Sequence, residues 1–222
     1  MAESLLVPIF PLGNVALFPG VSVPLHIFEP RYRQMMEAAL DGDRVIGMVT
    51  VRPDAASQLS GDPPVFPIGC AGTIEEHEQL PDGRYNLLLH GTQRFRIAEE
   101  HDPTEERLFR LARVHLLDEA EIDEAAAPRV ASQRARVAEI LEALIAHGDG
   151  AEQAQALQQL SSLTDAEFAN ALCQALGLPV EERQALLEAS GAAARLDSLE
   201  GMLSFHLARA RAPASPGSDR VH

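Results

Sequence analysis

The sequence predicts an α+β fold: a partly open β-barrel carrying one helix, followed by an all-helical C-terminal bundle. Three observations predict it. Up to Asp118, apolar runs of strand length alternate with turn residues, which is the pattern of an antiparallel β structure. One early stretch, Ile9 to Tyr32, contains a strand, a turn, a second strand and a helix start. After Asp118 the chain becomes rich in Ala, Glu, Gln and Leu, with apolar residues at helical spacing and no alternation. The expected division is a barrel over 1–118, helices over 119–211 and a flexible tail over 212–222, where APASPGSDRVH offers little apolar surface to anchor it.

Leu5 to Phe10 is a first short strand. Pro11, Pro19 and Pro24 cannot donate to a sheet ladder, so each belongs at a strand end, an edge or a bulge, and Gly13 and Gly20 supply turns between them. Val21, Val23, Leu25 and Ile27 alternate with Ser22, Pro24 and His26, the period of a half-buried strand, and Phe28 breaks that alternation. Glu29 and Pro30 open a helix that continues through Tyr32, Met35, Met36, Ala39 and Leu40. Arg44 to Val51 is a nearly continuous apolar run and reads as a central strand. The polar stretch from Arg52 to Pro64 is a loop, long enough to act as a mobile flap over one end of the sheet. Phe66 to Glu76 and Tyr85 to Ile97 flank Leu80-Pro81-Asp82-Gly83 and predict a hairpin, and Leu108 to Leu117 closes the β part.

In the second part, Val137, Ile140, Leu141, Leu144 and Ile145 form one apolar helix face ending at Gly148, and Leu157, Leu160 and Leu163 mark a shorter helix. Thr164 and Glu167 form a capping box, with Leu163 and Phe168 placed as a hydrophobic staple, and this helix ends at Gly177. Pro179 stands at the first position of the next helix, which runs to Gly191. Leu196, Leu199, Met202 and Leu203 define the last helix.

With 222 residues, 46% hydrophobic and 23% charged, the composition is that of an ordinary globular protein that buries roughly 70% of its unfolded surface. No apolar run reaches the length of a membrane span, and MAESLLVPIF lacks the basic start and apolar core of a signal peptide, so a cytoplasmic protein is expected. Cys70 and Cys173 read as reduced, small core residues. The net charge of −15 disfavours nucleic acid as a partner. All 18 basic residues are arginine, so the chain has no Walker A lysine, no Ser–Lys peptidase dyad and no Schiff-base lysine.

The run PIFPLGNVALFPG, then VPLHIFEPRYR, resembles the opening of the Lon protease N-terminal domain family. IGCAGTIEE and LPDGRYNLLLHGTQRFRI are similar to that family's later strand and hairpin. LPVEERQALLEA is similar to its helical stretch, with Arg183 where lysine is usual. The resemblance implies a PUA-like barrel, non-enzymatic recognition of unfolded or extended polypeptides, and a role as an adaptor, holder or regulator working beside a protease or chaperone.

Two other function classes follow from the same chain. One is a PUA-like module that binds a small molecule or RNA, which the charge of −15 opposes. The other is a hydrolase, for which a Cys70–His90 pair across the hairpin is the starting point, though the sequence supplies no orienting third group. No histidine has a second ligand at metal spacing; His77 beside Glu75 and Glu76 reads as solvated charge, and no metal or cofactor is expected. Glu29 and Arg31 flank the strand-to-helix corner, and Arg94 and Arg96 share one face of a strand whose Phe95 and Ile97 point to the other. They read either as ion pairs fixing helix to barrel or, with Phe28 and Tyr32, as the rim of a groove that receives an extended polypeptide.

Overall fold

A computed structural model describes residues 4–54, 61–145, 160 and 162–211. The β part contains β1 (Ser4–Leu12), β2 (Ser22–Ile27), α1 (Pro30–Asp41), β3 (Val45–Thr50), β4 (Ile68–Gln79), β5 (Tyr85–His101) and β6 (Leu111–Leu116). Then come α2 (Ala127–Ile145), α3 (Asp165–Ala175), α4 (Val180–Glu188) and α5 (Ala192–Arg211). The expected α+β class, strands first and helices after, is what the structure has.

Six strands form one mixed sheet in the order β2-β5-β4-β3-β1-β6, and β5 also pairs with β6. The long strand β5 explains this double pairing. One edge of it meets β4, while along the other edge Tyr85 to His90 pair with β2 and Phe95 to His101 pair with β6. Because β6 pairs with β1 as well, five strands close into a ring and β2 remains outside it as a free edge. Register shifts at Ala71/Gly72, Ile74/Glu76 and Ile97/Glu99 supply the bends that closure needs. The ring is therefore closed, and the sheet keeps a free edge at β2.

The N–H of Gly91 bonds to the carbonyl of Val21 at 2.8 Å, which sets the phase of the β2–β5 ladder. Val23, Leu25 and Ile27 then turn their backbone groups toward β5, and Ser22, Pro24 and His26 turn theirs to the free edge. Pro24, with no N–H to offer, thus sits where it costs the sheet nothing and blunts the edge against further pairing. Pro11 lies one residue before the end of β1, and Pro19 lies in the β1–β2 loop.

Two apolar clusters face opposite sides of the barrel wall. The inner one holds Val7, Ile9, Val49, Phe95, Ala112 and Val114. Its central ring, Phe95, is accommodated because a Cβ at Gly47 would stand 3.1 Å from it and one at Gly69 only 2.7 Å. The outer cluster is larger and joins the sheet to the helices, with Phe18, Met48 and Cys70 in one group with Leu172, Cys173, Leu186 and Leu199. Hydrogen bonds from the helices to the β part reinforce this packing: Gln184 Nε2 donates to the Ile68 carbonyl on β4 at 3.0 Å, while Asn170 Nδ2 donates to Pro19 at 2.9 Å and Arg183 Nη1 to Asn14 at 3.1 Å, both in the β1–β2 loop.

Element ends differ from the sequence expectation by small amounts with clear causes. β5 continues past Ile97 because β6 supplies ladder partners as far as His101. Pro179 is the N-cap of α4 and the helix begins at Val180. α3 ends at Ala175, and the Leu176 N–H closes its last turn onto Leu172 before Gly177 is reached. The capping box at Thr164 and Glu167 is present in full. The expected helix around Leu157, the stop at Gly148, the middle of the 52–64 loop and the 212–222 tail lie outside the described residues.

Candidate functional site

Phe28 is 61% exposed at the junction of β2 and α1. Geometrically it continues the outward row Ser22, Pro24 and His26; what breaks at this position is polarity, since an aromatic stands where polar residues precede it. Its ring stacks against His26, with centroids 6.2 Å apart and planes at 26°. His26 is itself fixed from both sides. Its Nδ1 lies 2.7 Å from Asn86 Oδ1 on β5, and its Nε2 lies 3.3 Å from Arg84 Nη1. Since the amide oxygen only accepts, Nδ1 carries a proton and Nε2 is left to accept from the guanidinium. Arg84 is held in turn by Asp82 at 2.7 Å. A solvent-facing aromatic ring with a hydrogen-bonded polar support results.

Arg31 and Tyr32 lie in the first turn of α1 at the same corner, engaged with other partners. The Arg31 guanidinium lies 4.5 Å over the Tyr32 ring, pairs with Glu29 at 2.9 Å and donates to the Gly61 carbonyl at 2.6 Å. It therefore pins the far end of the 52–64 loop to the start of α1. Tyr32 is 7% exposed and meets Phe10 edge to face at 4.6 Å. Burial pushes the Tyr32 hydroxyl pKa upward, with the nearby Arg31 charge opposing.

Arg94 and Arg96 do point to the face opposite Phe95, but they do not join the corner. Arg94 is 2% exposed, bonded to Glu119 at 2.5 Å and to the Leu187 carbonyl at 3.0 Å, so it fixes the helices to the barrel and forms no rim. Arg96 is exposed, paired in register with Ile68 and His115 on the closed half of the barrel. The structure thus brings Phe28, Arg31 and Tyr32 to one corner and separates Arg94 and Arg96 from it. Ion pairing explains Arg31 and Arg94, and of these five residues Phe28 is the apolar one left in water.

A second apolar surface lies at the other end of α1. There a groove of about 360 Å³ runs between α1 and β1, lined by Leu5, Leu6, Pro8, Ala38, Phe109 and Leu111 among others. Leu6 is 52% exposed, and Leu108 nearby in sequence is 44% exposed. The sequence signal for this groove was the adjacent pair Leu5-Leu6: in an alternating strand only one of two neighbours can face the core.

Nothing catalytic forms around the two cysteines. Burial pushes the Cys70 and Cys173 thiols up to about 12, against the lowering influence of Arg195, so neither is a thiolate at neutral pH. Cys70 pairs with Arg94 across the hairpin while His90 pairs with Thr73, so the Cys70–His90 pair from which a hydrolase reading would start is not formed. His90 instead meets Ser22 at 2.9 Å. Among the described residues no group of three metal-ligating side chains converges, and no helix is long and apolar enough to cross a membrane.

The profile of a family described as "ATP-dependent protease La (LON) substrate-binding domain" matches residues 6–204. The chain is 27% identical over 214 residues to the Lon protease of Escherichia coli K12, covering 93% of this chain and 25% of that protein. It is 28% identical over 203 residues to the Lon protease of Trichlorobacter lovleyi, covering 90% and 24%. It thus spans about a quarter of the length of these curated relatives. Among solved structures it is similar in fold to the N-terminal domain of Mycobacterium avium complex Lon protease, with TM-score 0.65, 20% identity, and coverage of 91% of this chain and 100% of that one. A Lon N-terminal domain protein from Xanthomonas campestris gives TM-score 0.61 at 20% identity, covering 89% and 98%.

Proposed function

The chain belongs to the family of Lon substrate-binding domains, and from that premise we propose that it binds unfolded or extended polypeptides without cleaving them, as an adaptor or regulator of proteolysis in the cytoplasm. The observation that carries the reading is Phe28: a large aromatic, 61% exposed and braced by His26, at the corner of a fold whose family is described by substrate binding. An exposed aromatic on a hydrogen-bonded support contributes apolar contact area at little entropic cost, which suits weak, sequence-tolerant holding of chains.

The absence of lysine from all 222 residues supports a binding role over a motor or peptidase role, because neither a Walker A lysine nor a Ser–Lys dyad is available. Retention of a reduced, unfolded client by the purified protein, measured in moderate salt, tests the proposal. Weak retention without turnover of ATP or casein is expected. No retention at all, or turnover that survives rigorous purification, would overturn it.

A further inference from the structure

We propose that the groove between α1 and β1 takes one apolar side chain of a bound polypeptide segment that carries lysine or arginine beside it, a proposal that rests on the polypeptide-binding reading above. The groove's volume of about 360 Å³ lies at the small end of ligand sites, room for one or two side chains. Its lining is aliphatic and aromatic, and Asp43 is the one ionisable residue in it. Leu6 borders it with half its surface in water, an arrangement that marks an interaction site when apolar neighbours are contiguous.

The basic preference comes from the charges at the rim. The last turn of α1 holds no basic residue, although the C-terminal end of a helix carries a partial negative charge. Asp41 and Asp43 add two exposed carboxylates at that same end. The neighbouring arginines already have partners: Arg44 reaches His77 on β4 at 3.3 Å, and Arg113, opposite Leu6 in register and on the same face, pairs with Glu99 at 3.6 Å. An incoming cation next to an apolar anchor would meet the carboxylates of Asp41 and Asp43 beside an apolar slot. Along α1, about 18 Å separates this end from Phe28, a span that five or six extended residues cover.

The test uses fluorescent peptides with a common Leu-Phe-Leu centre flanked by lysine, serine or glutamate, titrated by anisotropy against the parent and three variants. The parent should bind the lysine-flanked peptide about fivefold more tightly than the serine-flanked one at low salt. Leu6→Glu should weaken the serine- and glutamate-flanked peptides about tenfold or more, and the lysine-flanked one by less because the added carboxylate attracts it. The Asp41→Asn/Asp43→Asn double variant should lose the lysine preference and keep the serine-flanked affinity. Ala38→Gln narrows the groove from the helix side and should weaken binding too, so a misfolded Leu6→Glu chain leaves the question answerable. Unchanged affinity in Leu6→Glu and Ala38→Gln, with the parent still binding, overturns the groove and leaves polypeptide binding standing. No binding by the parent to any peptide or unfolded client overturns both. A parent dimer that Leu6→Glu abolishes and peptide fails to displace assigns the groove to a second copy and overturns the proposal.

Discussion

The Glu119 carboxylate grips Arg195 with both oxygens, at 2.8 Å from Nη1 and 3.0 Å from Nη2, while the same carboxylate takes Nε of Arg94. Arg195 is fully buried in α5, where its Nη1 also donates to Asn170 Oδ1 at 2.8 Å and its Nε to the Leu186 carbonyl at 3.2 Å. One acidic residue in the connection between sheet and helices thus bonds two buried guanidinium groups, one from each side, and offsets one of their two charges. Such a network adds little net stability over apolar packing, but it admits one relative placement of the parts, because any other leaves a buried charge unpaired.

Replacing Glu119 by Gln should therefore cost about 3 kcal/mol, since it strands Arg94 and Arg195 without a counter-charge. Burial pushes the Glu119 carboxyl up, but the hydrogen bonds and charge of Arg195, then of Arg94, outweigh burial and hold it below its ordinary 4.5. The folded-state pKa is depressed, so the contribution is fully present above 4.5 and is lost as pH falls through the lower folded value. Thermal midpoints taken from about pH 6 down to about pH 3 should fall more steeply for the parent than for Glu119→Gln. Parallel curves would show that Glu119 titrates alike in both states.

Gly91 and Gly201 make a matched pair of opposite sign. A Cβ at Gly91 would stand 2.2 Å from the carbonyl oxygen of the fully buried Phe18, whereas one at Gly201 meets nothing within 4 Å on α5. Gly91→Ala should destabilise by about 3 kcal/mol through forced backbone displacement. Gly201→Ala should stabilise by about 0.5 to 1 kcal/mol through helix propensity. Urea midpoints for the two variants check both signs, and a neutral Gly91→Ala would mean that β2 and β5 separate more easily than their ladder implies.

The parts of this fold that were legible in the sequence are those where one buried face imposes a period. Val23, Leu25 and Ile27 announce β2, and Thr164 with Glu167 announces α3, because strand alternation and capping are local. The second half of β5 was hidden: Ala98, Glu99 and Glu100 carry no apolar alternation, and they are held by β6, a partner found only in three dimensions. Arg94 was legible as to face but not as to fate, since the Leu187 carbonyl it bonds lies 93 residues away along the chain. Phe28 was readable as an apolar residue in a polar row. The groove was marked by no more than the adjacent pair Leu5-Leu6, because Leu5 to Phe10 is continuously apolar and does not tell which side a helix leaves uncovered.

The cap of α3 offers a local test. Thr164 Oγ accepts the Glu167 N–H at 3.3 Å while the Glu167 carboxylate takes the Thr164 N–H at 2.8 Å. Hydrogen bonds from the Thr164 backbone and then its hydroxyl hold the Glu167 carboxyl below its ordinary range. Thr164→Ala should lower stability by about 1 kcal/mol, read from a denaturant midpoint, with Thr164→Ser recovering most of it. An Ala variant indistinguishable from the parent would place the start of the helix elsewhere.

Phe28 and Tyr32, four residues apart, should separate binding from stability. Tyr32 is 7% exposed against Phe10, so Tyr32→Ala should cost about 3 to 5 kcal/mol through the cavity it leaves. Phe28 is 61% exposed and buries little, so Phe28→Ala should stay within about 0.5 kcal/mol of the parent. If the exposed ring is what holds a client, Phe28→Ala loses retention of a reduced, unfolded protein at unchanged midpoint, while the folded fraction of Tyr32→Ala retains it. Phe28→Leu should recover part of the retention, because apolar area survives while the stack on His26 does not. A Phe28→Ala chain that holds clients as well as the parent would remove this residue from the binding surface and shift attention to the groove bordered by Leu6.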